Sequence, residues 1–246
     1  MSPFGCEVIG RQKALLIAWF WPVFSGLRTY GVAWILASCV LPGLPLVGSM
    51  ARGDRRILIG ISIAGMPALQ AFELRLLACL FFSIPACVQS FGEEVGWRGY
   101  LLTRLFDAKV PVPIFWNGLI WGLWHVPFFL AWVPSRGLPE QRSISLFFFV
   151  ANTIAGAYLL SYLRLRSGSI WPPVLAHASG NTMLLWAFQG LTAASPFWKG
   201  EFSLLFTGLP VLILLIMRPA WTVHYWPRSR DVDGSISASA KLSSLS

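Results

Sequence analysis

Apolar runs that approach bilayer length recur along this chain, separated by short groups of basic residues, and few folds accommodate that pattern. A helix needs roughly 20 apolar residues to cross a hydrocarbon core about 30 Å thick. Of 246 residues, 56% are hydrophobic and only 12% charged, with 13 Trp and 18 Phe, so the apolar surface exceeds what a soluble domain of this length buries. The pattern predicts an all-α protein, a polytopic bundle of about eight transmembrane helices. The net charge of +9 could suggest nucleic acid, but Lys and Arg come in small groups between apolar runs rather than along one face. They read as topology signals, and no nucleic-acid partner is expected.

The predicted spans are 14–27, 30–50, 57–72, 76–91, 114–133, 144–163, 170–188 and 202–217. The first follows Arg11 and Lys13 and is short enough to resemble a signal peptide, but no small-residue cleavage site follows it, so it reads as a retained helix. Glu73 and Arg75 interrupt before the fourth span, which Pro85 should kink. Ser169 suits an N-cap and Pro172 a first helical turn for the seventh. This divides the chain into N-terminal helices (1–75), a helical core (76–188), a final helix (189–217) and a polar, Ser-rich, disordered tail (218–246). With the N-terminus in the cytoplasm, 14 of 19 Lys and Arg fall on the cytoplasmic side, which favours both termini there and an integral location in the cell membrane. Cys6, Cys39, Cys79 and Cys87 show no C-x-x-C spacing and indicate neither a disulfide framework nor a cysteine metal site. No internal repeat is evident.

Against this background the stretch Ser90-Phe-Gly-Glu-Glu-Val-Gly-Trp-Arg-Gly-Tyr100 stands out, because it closes an apolar run with Glu93 and Glu94 and follows them with Arg98. Charges cost about 2.5 to 3.5 kcal/mol each at a membrane helix centre, so such a cluster marks a functional site. Glu94 and Arg98 are i and i+4 and share a face, while Glu93 lies roughly 100° further round. One carboxylate can therefore be paired and its neighbour left for chemistry. His125 and His177 both lie in apolar spans. Trp121 precedes His125 by four, with Gly118-x-x-x-Gly122 permitting close helix approach, and Asn181 follows His177 by four. Gly92 and Gly96 form a second small-residue face beside the glutamates.

Glu93, His125, His177 and Asn181 round one cavity would supply a base, a group to orient water or shuttle its proton, and donors for an oxyanion. That equipment hydrolyses an amide without a covalent intermediate; no G-x-S-x-G is present and no cysteine neighbours a histidine in sequence. Two histidines and a glutamate are equally the ligand set of a hydrolytic zinc site, here Glu93, His125 and His177, although H-E-x-x-H is absent.

At these residues the sequence resembles the CPBP family, the intramembrane CAAX proteases and bacteriocin-processing enzymes related to the type II CAAX prenyl endopeptidase. The family's three motifs stand here as Glu93-Glu94-Val-Gly-Trp-Arg98, Trp121-Gly-Leu-Trp-His125 and His177-Ala-Ser-Gly-Asn181. Trp121 departs from the phenylalanine more usual in the second motif. The resemblance implies that Glu93 activates water, His125 assists, His177 and Asn181 bind the oxyanion, and Glu94 with Arg98 support them. It leaves Zn2+-dependent and metal-independent schemes both open. It also implies a peptide or lipidated-protein substrate at the bilayer: prenyl-protease relatives remove a C-terminal tripeptide after a lipidated cysteine, while others serve bacteriocin maturation or self-immunity. The competing class is a non-proteolytic membrane protein on the same bundle, an immunity or scaffold protein or a proton-coupled transporter. A transporter would favour repeated halves.

Overall fold

The computed structural model describes residues 10–35, 68–127 and 139–183. Most of the predicted spans at 30–50 and 57–72, the whole span at 202–217, the basic residues at 52–56 and the tail lie outside the described residues, while residues 30–35 continue the first helix, so the break expected between 27 and 30 is absent. Among those residues the chain is helical throughout, with no strand.

Helix α1 is Arg11–Ile35 and runs through Pro22. Helix α2, Ala68–Glu94, is followed without a break by a π-helical segment, Val95–Leu101, and then by α3, Leu102–Asp107. Helix α4 is Pro113–Trp124, α5 is Pro139–Ser167 and α6 is Trp171–Thr182. Two of these are long and apolar enough to cross a membrane among the described residues, over Glu73–Asp107 and Leu146–Ser167. The first has 35 residues and so extends roughly 50 Å, well beyond a hydrocarbon core of about 30 Å.

Several expected boundaries move. Glu73 and Arg75 do not interrupt a helix, because α2 begins at Ala68 and carries both. The span expected to end at Phe91 continues as helix, and the turn comes only after Asp107, where Lys109 adopts φ 54°. The predicted span at 114–133 is broken at His125, the C-cap of α4, whose N–H turns back to Gly122 O at 3.2 Å. Helix resumes at Val126 and Pro127, and Pro127, with no N–H to return to Leu123 O, cannot continue the α4 ladder across the turn. At α6 the cap is Ile170 rather than Ser169, although Ser169 Oγ still accepts the Trp171 N–H at 3.3 Å.

The core forms where α6 packs against α1, α2 and α5, and where α4 packs against α5. Gly118 and Gly122 permit the second contact. A Cβ on Gly118 would stand 2.6 Å from Ile154 Cα and 2.8 Å from Ala157 Cβ, and one on Gly122 would collide with Thr153 Oγ1. Gly92 and Gly96 behave otherwise, with no atom within 4 Å of an added Cβ, so the expected second packing face is open among the described residues. Helix α1 is tied to its neighbours by polar bonds: Trp19 Nε1 donates to Leu80 O and Ser83 Oγ of α2, both at 2.9 Å, and Trp21 Nε1 donates to Ala176 O of α6 at 2.9 Å. Ser179 Oγ returns a bond to Ala18 O at 2.8 Å. Outward-facing Leu77, Phe81, Phe82 and Val88 leave α2 with an apolar exterior suited to lipid.

Candidate active site

Glu93 and Glu94 end the α-helical part of α2, and Arg98 lies within the π segment. In that segment the Leu102 N–H reaches back five residues to Trp97 O, and Asn117 Nδ2 of α4 donates to the same carbonyl at 2.8 Å. π segments recur at functional sites because the extra residue re-aims the side chains around it. Asn117 is fully buried and clamps this one to α4.

The Glu94–Arg98 pair predicted from i, i+4 spacing is present. Arg98 Nη1 lies 2.8 Å from Glu94 Oε1 and both side chains are wholly buried. The same oxygen accepts the Nδ1 proton of His177, also at 2.8 Å. The guanidinium covers the Trp121 ring with its carbon 4.2 Å from the centroid, a desolvated cation–π contact worth about 2 kcal/mol. Glu94 Oε2 and Arg98 Nε and Nη2 have no hydrogen-bond partner among the described residues. A buried ion pair with unmet valences is poor evidence of stability, since desolvating two charges offsets their attraction.

Glu93 points elsewhere, as its different helical azimuth requires, but it is not left without a partner: its Oε2 accepts the Trp121 indole N–H at 3.2 Å. His125 is reached through the same tryptophan. Because its backbone N–H turns to Gly122, the Trp121 carbonyl is available to the imidazole, and Nδ1 donates to it at 2.8 Å. That bond places the Nδ1 proton and leaves Nε2 as the ring's free nitrogen. The rings of Trp124 and Phe149 stand edge-on to His125 at centroid distances of 4.9 and 5.1 Å, and Trp121 stands likewise to His177 at 5.3 Å.

The structure therefore joins Glu94, Arg98 and His177 directly, and Glu93 and His125 through Trp121. Asn181 is half-buried one turn beyond His177 and its side chain makes no hydrogen bond among the described residues. Glu93, His125 and His177 do not gather as metal ligands: among the described residues no three His, Cys, Asp or Glu side chains are grouped to hold an ion. Each takes a protein partner instead, Glu93 and His125 on Trp121 and His177 on Glu94. Sequence reasoning missed Asn117 and the indole donor of Trp121. A polar Asn one turn before Trp121 in an apolar helix was the available signal.

Residues 75–183 match the family model described as type II CAAX prenyl endopeptidase Rce1-like. Over this segment the chain is similar to the CAAX protease family. Neither a curated protein nor a solved structure shows significant similarity to the chain. The matched segment begins within α2 and ends just after α6, so all three motif helices lie inside it and α1 lies outside. That similarity suggests peptide-bond hydrolysis in a membrane environment.

Proposed function

We propose that this protein is an intramembrane endopeptidase in which Glu93 and His125 activate water and His177 with Asn181 receives the oxyanion. The observation that supports it most is the shared anchoring of Glu93 and His125 on Trp121, which leaves Glu93 Oε1 and His125 Nε2 as acceptors. A water that donates one proton to each presents its lone pairs to a carbonyl carbon. Glu93 takes a proton as the water oxygen bonds to that carbon and the carbonyl π electrons move onto oxygen. Collapse of the intermediate breaks the C–N bond, and the proton on Glu93 passes to the leaving amine. The products are a carboxylic acid and an amine.

His177 commits its Nδ1 proton to Glu94, so it donates to an oxyanion from Nε2 only as an imidazolium. The Asn181 amide, whose side chain has no hydrogen-bond partner among the described residues, is the second donor. No step needs a metal. The scaffold, immunity and transporter readings have no comparable observation in their favour.

The substrate class is a peptide or lipidated protein at the bilayer surface, and the topology is polytopic with both termini cytoplasmic. The decisive assay is cleavage of lipidated and unlipidated peptides by purified protein, with Glu93→Ala as control. Cleavage that Glu93→Ala abolishes supports the reading, and equal cleavage by both proteins overturns it.

A further inference from the structure

We infer that Trp121 is a positioning residue that aims both halves of the water-activating pair, its indole N–H holding Glu93 and its backbone carbonyl holding His125. The inference rests on the roles given to Glu93 and His125 above.

A carboxylate at the end of a helix has a broad terminal torsion and can turn either oxygen toward a cavity. The Trp121 N–H on Oε2, at 3.2 Å, removes that choice and leaves Oε1 facing away from the indole. The donor itself is held. Trp121 is 8% exposed, packs with Ala18, Leu160, Leu163 and Ala176, carries the Arg98 guanidinium on one face, and has Gly156 behind it, where an added Cβ would lie 3.6 Å from the ring. The second arm is the carbonyl. Helix α4 ends one residue before His125, and this frees Trp121 O to fix the imidazole at 2.8 Å. One residue thus sets the angle between two acceptors carried on different helices. The spacing between Oε1 and Nε2 is then a property of the Trp121 backbone and ring together, so water is held in one orientation rather than several.

The test replaces the indole N–H without altering the bicyclic shape. Full-length protein carrying 3-benzothienylalanine at position 121, in which sulfur stands where the N–H was, is compared with Trp121→Phe and with Glu93→Gln. The substrate is the peptide cleaved fastest in the assay above. The expected result is a fall in kcat of roughly 10- to 100-fold for the isostere, the loss of one hydrogen bond to a charged group. KM stays within about twofold and thermal stability is unchanged. Trp121→Phe shows the same loss in kcat. An isostere with the wild-type kcat beside an inactive Glu93→Gln overturns the positioning role alone, because shape then suffices. A fully active Glu93→Gln overturns the catalytic reading as well.

Discussion

His177 donates its Nδ1 proton to Glu94 Oε1 over 2.8 Å, a bond between residues 83 positions apart that ties α6 to the end of α2. The same oxygen serves Arg98, so Glu94 is the joint of three groups, while Glu93, its neighbour in sequence, meets only the Trp121 indole among them. Adjacent acids have thereby acquired different duties.

The two glutamates should accordingly fail in different ways. Glu93→Gln keeps an oxygen that can accept the Trp121 N–H, so hydrolysis is expected to vanish with folded yield and melting temperature close to wild type. Glu94→Gln leaves Arg98 buried without a counter-charge, and removing one partner of a buried pair costs about 3 to 5 kcal/mol. That variant should lose stability and activity together. Adding Arg98→Met to Glu94→Gln should restore part of the melting temperature. A double variant no better folded than Glu94→Gln would show that the pair does not carry the defect.

The glycines give a paired test of packing. Gly118→Ala would drive a methyl group to within 2.6 Å of the Ile154 backbone, and overpacking of this kind costs about 1 to 3 kcal/mol. Gly92→Ala meets open space on a helix and should be neutral or slightly stabilising, by up to about 1 kcal/mol. Thermal melts in one detergent compare the two directly. Equal melting temperatures would mean that α4 and α5 do not approach as closely as described.

Metal removal bears on the zinc scheme. With Glu93 and His125 held by Trp121 and His177 by Glu94, dialysis against a strong chelator is expected to leave cleavage rates unchanged. Loss of activity that zinc alone restores would require those three side chains to abandon their partners and converge.

Topology can be read by labelling. Arg98 is buried beside Glu94 and carries no orientation information, yet without it 13 of the remaining 18 Lys and Arg still fall on the side assigned to the cytoplasm. Single cysteines at Ser2, Gly53 and Ser243, in a chain lacking its native thiols, should all react from the cytoplasmic side. Opposite accessibility of positions 53 and 243 would remove one span from the eight.

Much of the site was legible because it depends on helical arithmetic. The i, i+4 spacing of Glu94 and Arg98 and the spacing of Gly118 and Gly122 both translate into contacts on one face, and both contacts exist. What could not be read is rotational. Which acid meets His177 depends on how α2 turns against α6, and a π segment depends on partners such as Asn117 that are far away in sequence. Hydropathy carried the predicted span through His125, since Val126 and Pro127 look apolar. The proline's missing N–H was the better guide there. The open face at Gly92 and Gly96 shows the limit of small-residue patterns: they permit an approach without specifying a neighbour.

Helix α1 lies outside the segment recognisable as a CAAX protease, yet Trp21 is bonded to the carbonyl immediately before His177 and Trp19 to the second turn before Cys87 on α2. Ala14 and Ala18 are fully enclosed, and Trp21 lies against Gly180, 3.1 Å from where a Cβ would stand. The border of the catalytic motifs and the border of the cooperative folding unit are therefore different borders. A fragment cut at residue 75 would retain every motif while baring the flank of α6 that α1 shields, so recognition of the enzyme in a sequence and survival of the enzyme as a molecule draw on different stretches of chain.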